Sequence, residues 1–145
     1  VNLVLIINES IKLLEPTFRK REVKCLVKIE DENLMLRADA VQMTQIMFNL
    51  LMNAIYFSPQ NGLVTIEASQ NAKHIILKIS DEGKGFKKKD IDKVFQPFFT
   101  TKPMGEGSGL GLSVVHGLVA AHKGRITAEN NLKKGAIFTV TLPKD

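Results

Sequence analysis

The sequence predicts an α+β fold, a two-layer α/β sandwich whose mixed, mostly antiparallel sheet is covered on one face by helices. Three observations carry that expectation. Short segments alternate apolar and polar residues, as in Val64/Ile66/Ala68 and Ile75/Leu77/Ile79, the pattern of strands with one covered face. Other segments repeat apolar residues at helical spacing, most clearly Met43, Ile46, Met47, Leu50, Leu51 and Ala54. At 145 residues the chain suits one domain with a core adequate for independent folding.

Taken in order, residues 1–14 read as a helix stopped by Pro16, because proline lacks the N–H and clashes with the preceding turn. Residues 22–29 alternate apolar and polar side chains and read as a strand, followed by a short strand at 34–37. Asp39 stands as an N-cap, with Gln42 three residues on completing a capping-box pattern. The helix it opens ends near Ser58-Pro59. Strands follow at 64–69 and 74–80. A glycine loop, a short helix at 88–93 and a segment without periodicity at 96–109 come next. A helix at 110–122, carrying Val114, Val115, Leu118 and Val119, leads to strands at 125–129 and 136–142.

Composition narrows the function. The formal charge is +5, and its densest basic run, Lys87-Lys88-Lys89, is bracketed by Gly85 and Asp90, which reads as a solvated helix start. There is no Trp and no base-stacking platform, so no nucleic-acid partner is expected. Cys25 is the sole cysteine and cannot form an internal disulfide; it alternates with Val23, Val27 and Ile29 as a core thiol. No apolar run approaches the ~18–20 residues that span a bilayer, and no signal peptide is expected. No direct membrane contact and a cytoplasmic location are expected. The start at Val1 without an initiator Met predicts a catalytic piece of a longer protein, whose parent can be membrane-anchored.

Eight of the ten glycines fall between Gly83 and Gly124, six of them in two dense patterns. One is Asp81-Glu82-Gly83-Lys84-Gly85. The other is Gly105-Glu106-Gly107-Ser108-Gly109-Leu110-Gly111-Leu112, directly before helix-spaced apolar residues. A glycine loop feeding a helix N-terminus favours an anion, because unpaired N–H groups and the helix dipole both meet it there. A polyphosphate is the simplest candidate. Neither G-x-x-x-x-G-K-[ST] nor G-x-G-x-x-G occurs, which excludes the two familiar phosphate loops.

Four segments together are more specific than either loop: Asn49-Leu50-Leu51-Met52-Asn53-Ala54, then Asp81-x-Gly83-x-Gly85, then Val94-Phe95-Gln96-Pro97-Phe98-Phe99-Thr100-Thr101-Lys102, then Gly107-x-Gly109-Leu110-Gly111-Leu112. They resemble, in order, the N, G1, F and G2 boxes of the ATP-binding catalytic domain of sensor histidine kinases. That domain belongs to the superfamily shared with type II topoisomerases, mismatch-repair ATPases and heat-shock chaperones. The resemblance covers nearly the whole chain and implies a Bergerat-type ATP-binding fold.

What the resemblance implies can be placed residue by residue. Asn49 and Asn53, one helical turn apart with Gln42, Gln45 and Tyr56 on nearly the same stripe, would meet the phosphates, and Asn53 would ligate Mg²⁺. Asp81 would accept a hydrogen bond from the adenine amine and repel the O6 of guanine. Gly83 and Gly85 would leave room for the adenine edge, and Val94 would line its face. Phe95 and Phe98 read equally as loop anchors and as site residues. Phe99, Thr101 and Lys102 look like the lid of the subgroup bearing an FFTTK sequence, with Lys102 offsetting charge on the terminal phosphates. Gly107, Ser108, Gly109 and Gly111 would approach the phosphates closely, with Leu110 and Leu112 anchoring the helix beyond.

The resemblance implies transfer of the γ-phosphoryl group of ATP to a histidine on a separate helical dimerisation domain of the same parent protein, with a response regulator receiver domain downstream. His74, His116 and His122 do not fit the acceptor pattern His-[Glu/Asp]-x-x-[Thr/Asn]-Pro. The hydrolytic relatives place a glutamate where Asn49 stands, and an amide cannot take the proton of water; Asn49 therefore favours transfer over hydrolysis. Two departures leave an alternative, a nucleotide-sensing degenerate module or a related ATPase. Tyr56 stands where the family often has Lys, Arg or His, and Ile137 stands where it commonly has Thr.

Overall fold

The computed structural model describes residues 1–99 and 111–145. Three helices, α1 (Leu3–Arg21), α2 (Ala40–Phe57) and α3 (Gly111–Ala121), lie with five strands, β1 (Lys24–Ile29), β2 (Leu63–Gln70), β3 (His74–Ser80), β4 (Arg125–Asn130) and β5 (Ala136–Pro143). The sheet order is β1-β2-β3-β5-β4. β1 and β2 are parallel, and the other three pairings are antiparallel. This is the α+β two-layer architecture expected. Among the described residues no helix is long and apolar enough to cross a membrane.

One core joins the layers. Val64, Ile66 and Ala68 of β2, Ile75, Leu77 and Ile79 of β3, and Phe138, Val140 and Leu142 of β5 are buried with Met43, Ile46, Met47, Leu50, Leu51 and Ala54 of α2. Alternate strand residues, among them Thr65, Glu67, Lys78 and Thr139, are exposed or half-buried. A period of two puts one set against the helices and the other toward water. α2 begins with the expected cap, the Asp39 carboxylate accepting from the Gln42 N–H at 2.9 Å and contributing about 1 kcal/mol, but the reciprocal half of the capping box gives way to a bond from the Asp39 N–H to His122 Nε2.

Four expectations need correction. The first helix does not stop at Pro16 but runs to Arg21. Phe18, one turn beyond Leu14, carries the buried stripe past the proline, and its burial, about 1.5–3 kcal/mol, offsets most of a cost of about 3 kcal/mol. Residues 34–37 form no strand; Met35 makes a single bridge to Asn2 while Leu34 and Leu36 fill the core. The helix expected at 88–93 is a 3₁₀ turn, Ile91–Lys93. β1 also differs in burial. As an edge strand it leaves Val27 exposed, and Cys25 is half-buried against the core, where desolvation raises its thiol pKa.

Candidate functional site

The candidate site grows from the end of β3. Asp81 is 4% exposed, and its burial has a visible compensation. Oδ1 accepts from the Gly83 N–H at 2.9 Å and the Ala136 N–H at 3.2 Å, while the Asp81 N–H donates to the Ala136 carbonyl at 3.0 Å. Desolvation raises the carboxyl pKa, and the two N–H donors oppose the rise. No described residue donates to Oδ2. A buried carboxylate with one oxygen committed to backbone and the other unbonded is prepared to accept from a ligand.

The following residues tie that carboxylate to the rest of the fold. Glu82 Oε1 accepts from the Leu63 N–H at 2.7 Å, fastening the loop to the start of β2. Gly83 lies against the C-terminal end of α2, where a Cβ would meet the Phe57 carbonyl oxygen at 2.4 Å. That contact is one helical turn from Asn53, so the carboxylate loop and the asparagine face occupy neighbouring elements. Asn49 and Asn53 are half-buried, and neither amide hydrogen-bonds to another described residue. Tyr56 is taken up elsewhere: the Arg21 guanidinium carbon lies 5.2 Å from its ring centroid, and Arg21 Nη2 donates to its carbonyl at 3.1 Å.

Aromatic contacts connect this end of the sheet to α3. Phe138 of β5 meets Phe86 edge-on at 6.1 Å and Phe95 at 6.1 Å, and Phe95 lies 5.4 Å from the His116 ring. Val94 is buried, whereas Phe98 is 74% exposed with a φ of 67°. The two phenylalanines thus separate: Phe95 anchors the segment, and Phe98 does not. Phe99 is half-buried. Gly111 opens α3, and Leu112 packs against the core. The expected contributions of Thr100, Thr101, Lys102, Gly105, Gly107, Ser108, Gly109 and Leu110 lie outside the described residues.

The histidines have other occupations. His122 Nε2 accepts from the Asp39 N–H at 3.3 Å, and Nδ1 donates to the Leu118 carbonyl at 2.9 Å, bridging α3 to the cap of α2. His74 opens β3, and His116 faces Phe95.

Two residues take a part at the site that the sequence reading had not given them. Gly135 (φ +85°) presses on Asp81 so closely that a Cβ there would stand 2.0 Å from the Asp81 carbonyl oxygen. Asn130, at the end of β4, bonds the backbone of Phe86. Both sit in a turn-forming stretch whose sequence says only that the chain reverses.

Comparison with known proteins agrees with this geometry. The model of the family described as histidine kinase-, DNA gyrase B-, and HSP90-like ATPase matches residues 38–145. Sensor histidine kinase ZraS of Escherichia coli (strain K12) is 36% identical over 143 residues, 99% of this chain and 30% of that protein. The nucleotide-free catalytic domain of histidine kinase ThkA superposes with a TM-score of 0.91 at 31% identity, covering 99% of this chain and 93% of that one. ThkA in complex with response regulator protein TrrA gives a TM-score of 0.87 at 29% identity, covering 100% of this chain and 41% of that one. The chain thus spans about 30% of the length of the curated relatives reported first.

Proposed function

The chain belongs to the histidine kinase-, DNA gyrase B-, and HSP90-like ATPase family, and we propose that it is the catalytic domain of a cytoplasmic portion of a sensor histidine kinase. It binds Mg-ATP and passes the γ-phosphoryl group to a histidine on a separate helical domain of its parent. The observation that carries this reading is Asp81, buried in a glycine turn with Oδ1 held by two N–H groups and Oδ2 unbonded among the described residues. An acceptor so placed suits the amine of adenine and opposes the carbonyl of guanine.

Asn49 and Asn53 supply the phosphate end. Two half-buried amides without hydrogen bonds to described residues fit a hard cation and its phosphates, because Mg²⁺ takes oxygen ligands and keeps several waters. Asn53 Oδ1 would hold the ion, which supplies charge neutralisation on the phosphates when bound. Asn49 donates from its amide and has no basic site for the proton of water, so the residues favour transfer to a positioned nucleophile. On α2, Val41, Phe48 and Met52 are exposed at helical spacing, one residue around from the asparagine stripe. That apolar stripe beside the phosphate end suits docking of the helical acceptor domain. A receiver domain would then take the phosphoryl group from the histidine.

The test mixes this domain with the helical acceptor segment of its own parent and labelled ATP. Acid-labile phosphohistidine is expected on the segment, none on the domain alone, with multiple-turnover hydrolysis near background. Asn53→Ala should lower transfer about 100-fold, the scale on which one preorganised electrostatic partner acts. Self-labelling of the domain would contradict a separate acceptor, and hydrolysis on the order of 1 s⁻¹ would favour the ATPase alternative.

A further inference from the structure

We infer that Asn130 is the positioning residue of the loop carrying Asp81, Gly83 and Gly85, an inference that rests on nucleotide binding at that loop. Asn130 is the last residue of β4 and pairs with Ala136 of β5, whose N–H and carbonyl both bond Asp81. From that station its side chain makes two hydrogen bonds to a single residue. Oδ1 accepts from the Phe86 N–H at 2.8 Å, and Nδ2 donates to the Phe86 carbonyl at 2.8 Å.

The amide therefore does for Phe86 what a neighbouring strand would do, satisfying donor and acceptor together where the loop has left the sheet. A side-chain amide offers both functions in one plane at neutral pH, where a carboxylate only accepts. Gly85, at φ +74°, lets the clamp close: a Cβ there would stand 2.5 Å from Asn130 Oδ1. The loop is thus fixed at both ends by the turn end of one hairpin, at Asp81 through Ala136 and at Phe86 through Asn130. Phe86 is seated further by its edge-on contact with Phe138. Between these fixed points lie the glycines, so their height relative to the carboxylate is set by a residue that need not touch a ligand.

Asn130 is exposed, so Asn130→Ala should fold with a melting temperature within a few degrees of the native chain. Its Kd for Mg-ATP should rise about tenfold, the loss expected from one or two hydrogen bonds. Its Kd for Mg-ITP, which has a carbonyl in place of the amine, should stay unchanged, so the preference for ATP narrows. Displacement of a fluorescent ATP analogue reads both. Asn130→Asp should fare no better than alanine, because its carboxylate would face the Phe86 carbonyl where the amide donates. Hydrogen exchange provides an independent readout, with the Phe86 amide losing protection in both variants. Native affinity for ATP in Asn130→Ala, or equal weakening of ATP and ITP, overturns the inference. Absence of ATP binding by the native chain instead overturns the nucleotide reading beneath it.

Discussion

Replacing Asp81 with asparagine is expected to leave the domain folded and to raise its Kd for ATP about 10- to 100-fold, the cost of an unsatisfied polar group at a buried contact. The reason is a count of acceptors. The carboxylate offers one oxygen to the Gly83 and Ala136 N–H groups, and in the proposed site its second would accept from the adenine amine. An amide offers one oxygen in all. Whichever way it turns, its NH₂ faces a donor, either the two backbone N–H groups or the base. Thermal stabilisation by ATP should disappear in this variant, and unchanged stabilisation removes Asp81 from the site.

The unliganded variant carries a second signature. Burial holds the Asp81 carboxyl above its ordinary value of 3.8, so the folded chain binds this proton more tightly than the unfolded chain does. Its contribution to stability is fully present below the unfolded pKa and is lost as pH rises through the folded one. Relative to Asp81→Asn, the native chain should therefore gain stability as pH falls from neutral through this titration. Denaturant melts of both proteins across that range read the difference, and a gain with the opposite sign contradicts the burial account.

Gly135→Ala is expected to be the most damaging small substitution at the site, destabilising the domain by about 3 kcal/mol. Its backbone, at φ +85°, already excludes an easy alanine, and the new methyl would stand 2.0 Å from the Asp81 carbonyl oxygen and 2.8 Å from Oδ1. Left-handed strain of about 1–3 kcal/mol adds to overpacking of about 1–3 kcal/mol. Neither segment yields cheaply, because the Asp81 N–H bonds the Ala136 carbonyl at 3.0 Å and β3 pairs with β5 along its length. The melting temperature should fall by about 10 °C, with ATP affinity lost at temperatures where the variant remains folded. A fall below about 2 °C would show that this contact is loose.

Much of this architecture was legible because its causes are local. The cap at Asp39 and the helical spacing of Met43 to Ala54 placed α2, and alternation placed β2, β3 and β5 within a residue or two of their bounds. What escaped depended on distant contacts. A proline rule ended α1 too early because Phe18 finds its burial against the rest of the core. Leu34 and Leu36 look like a strand because they alternate, yet they bury their side chains with a single bridge to the chain start. The same holds at the site. Asp81 and the first glycine pair could be singled out from a linear motif. Gly135 and Asn130 lie about fifty residues away in sequence and reach that loop only because β5 joins β3 and β4 joins β5.

Isothermal titration of the domain with ATP and with GTP, magnesium present in both, tests the central claim most directly. Saturable uptake of one ATP per chain, with GTP leaving no heat at the same concentrations, is the predicted result. Silence with ATP at millimolar levels, or equal affinity for the two purines, would contradict a site built around the Asp81 carboxylate.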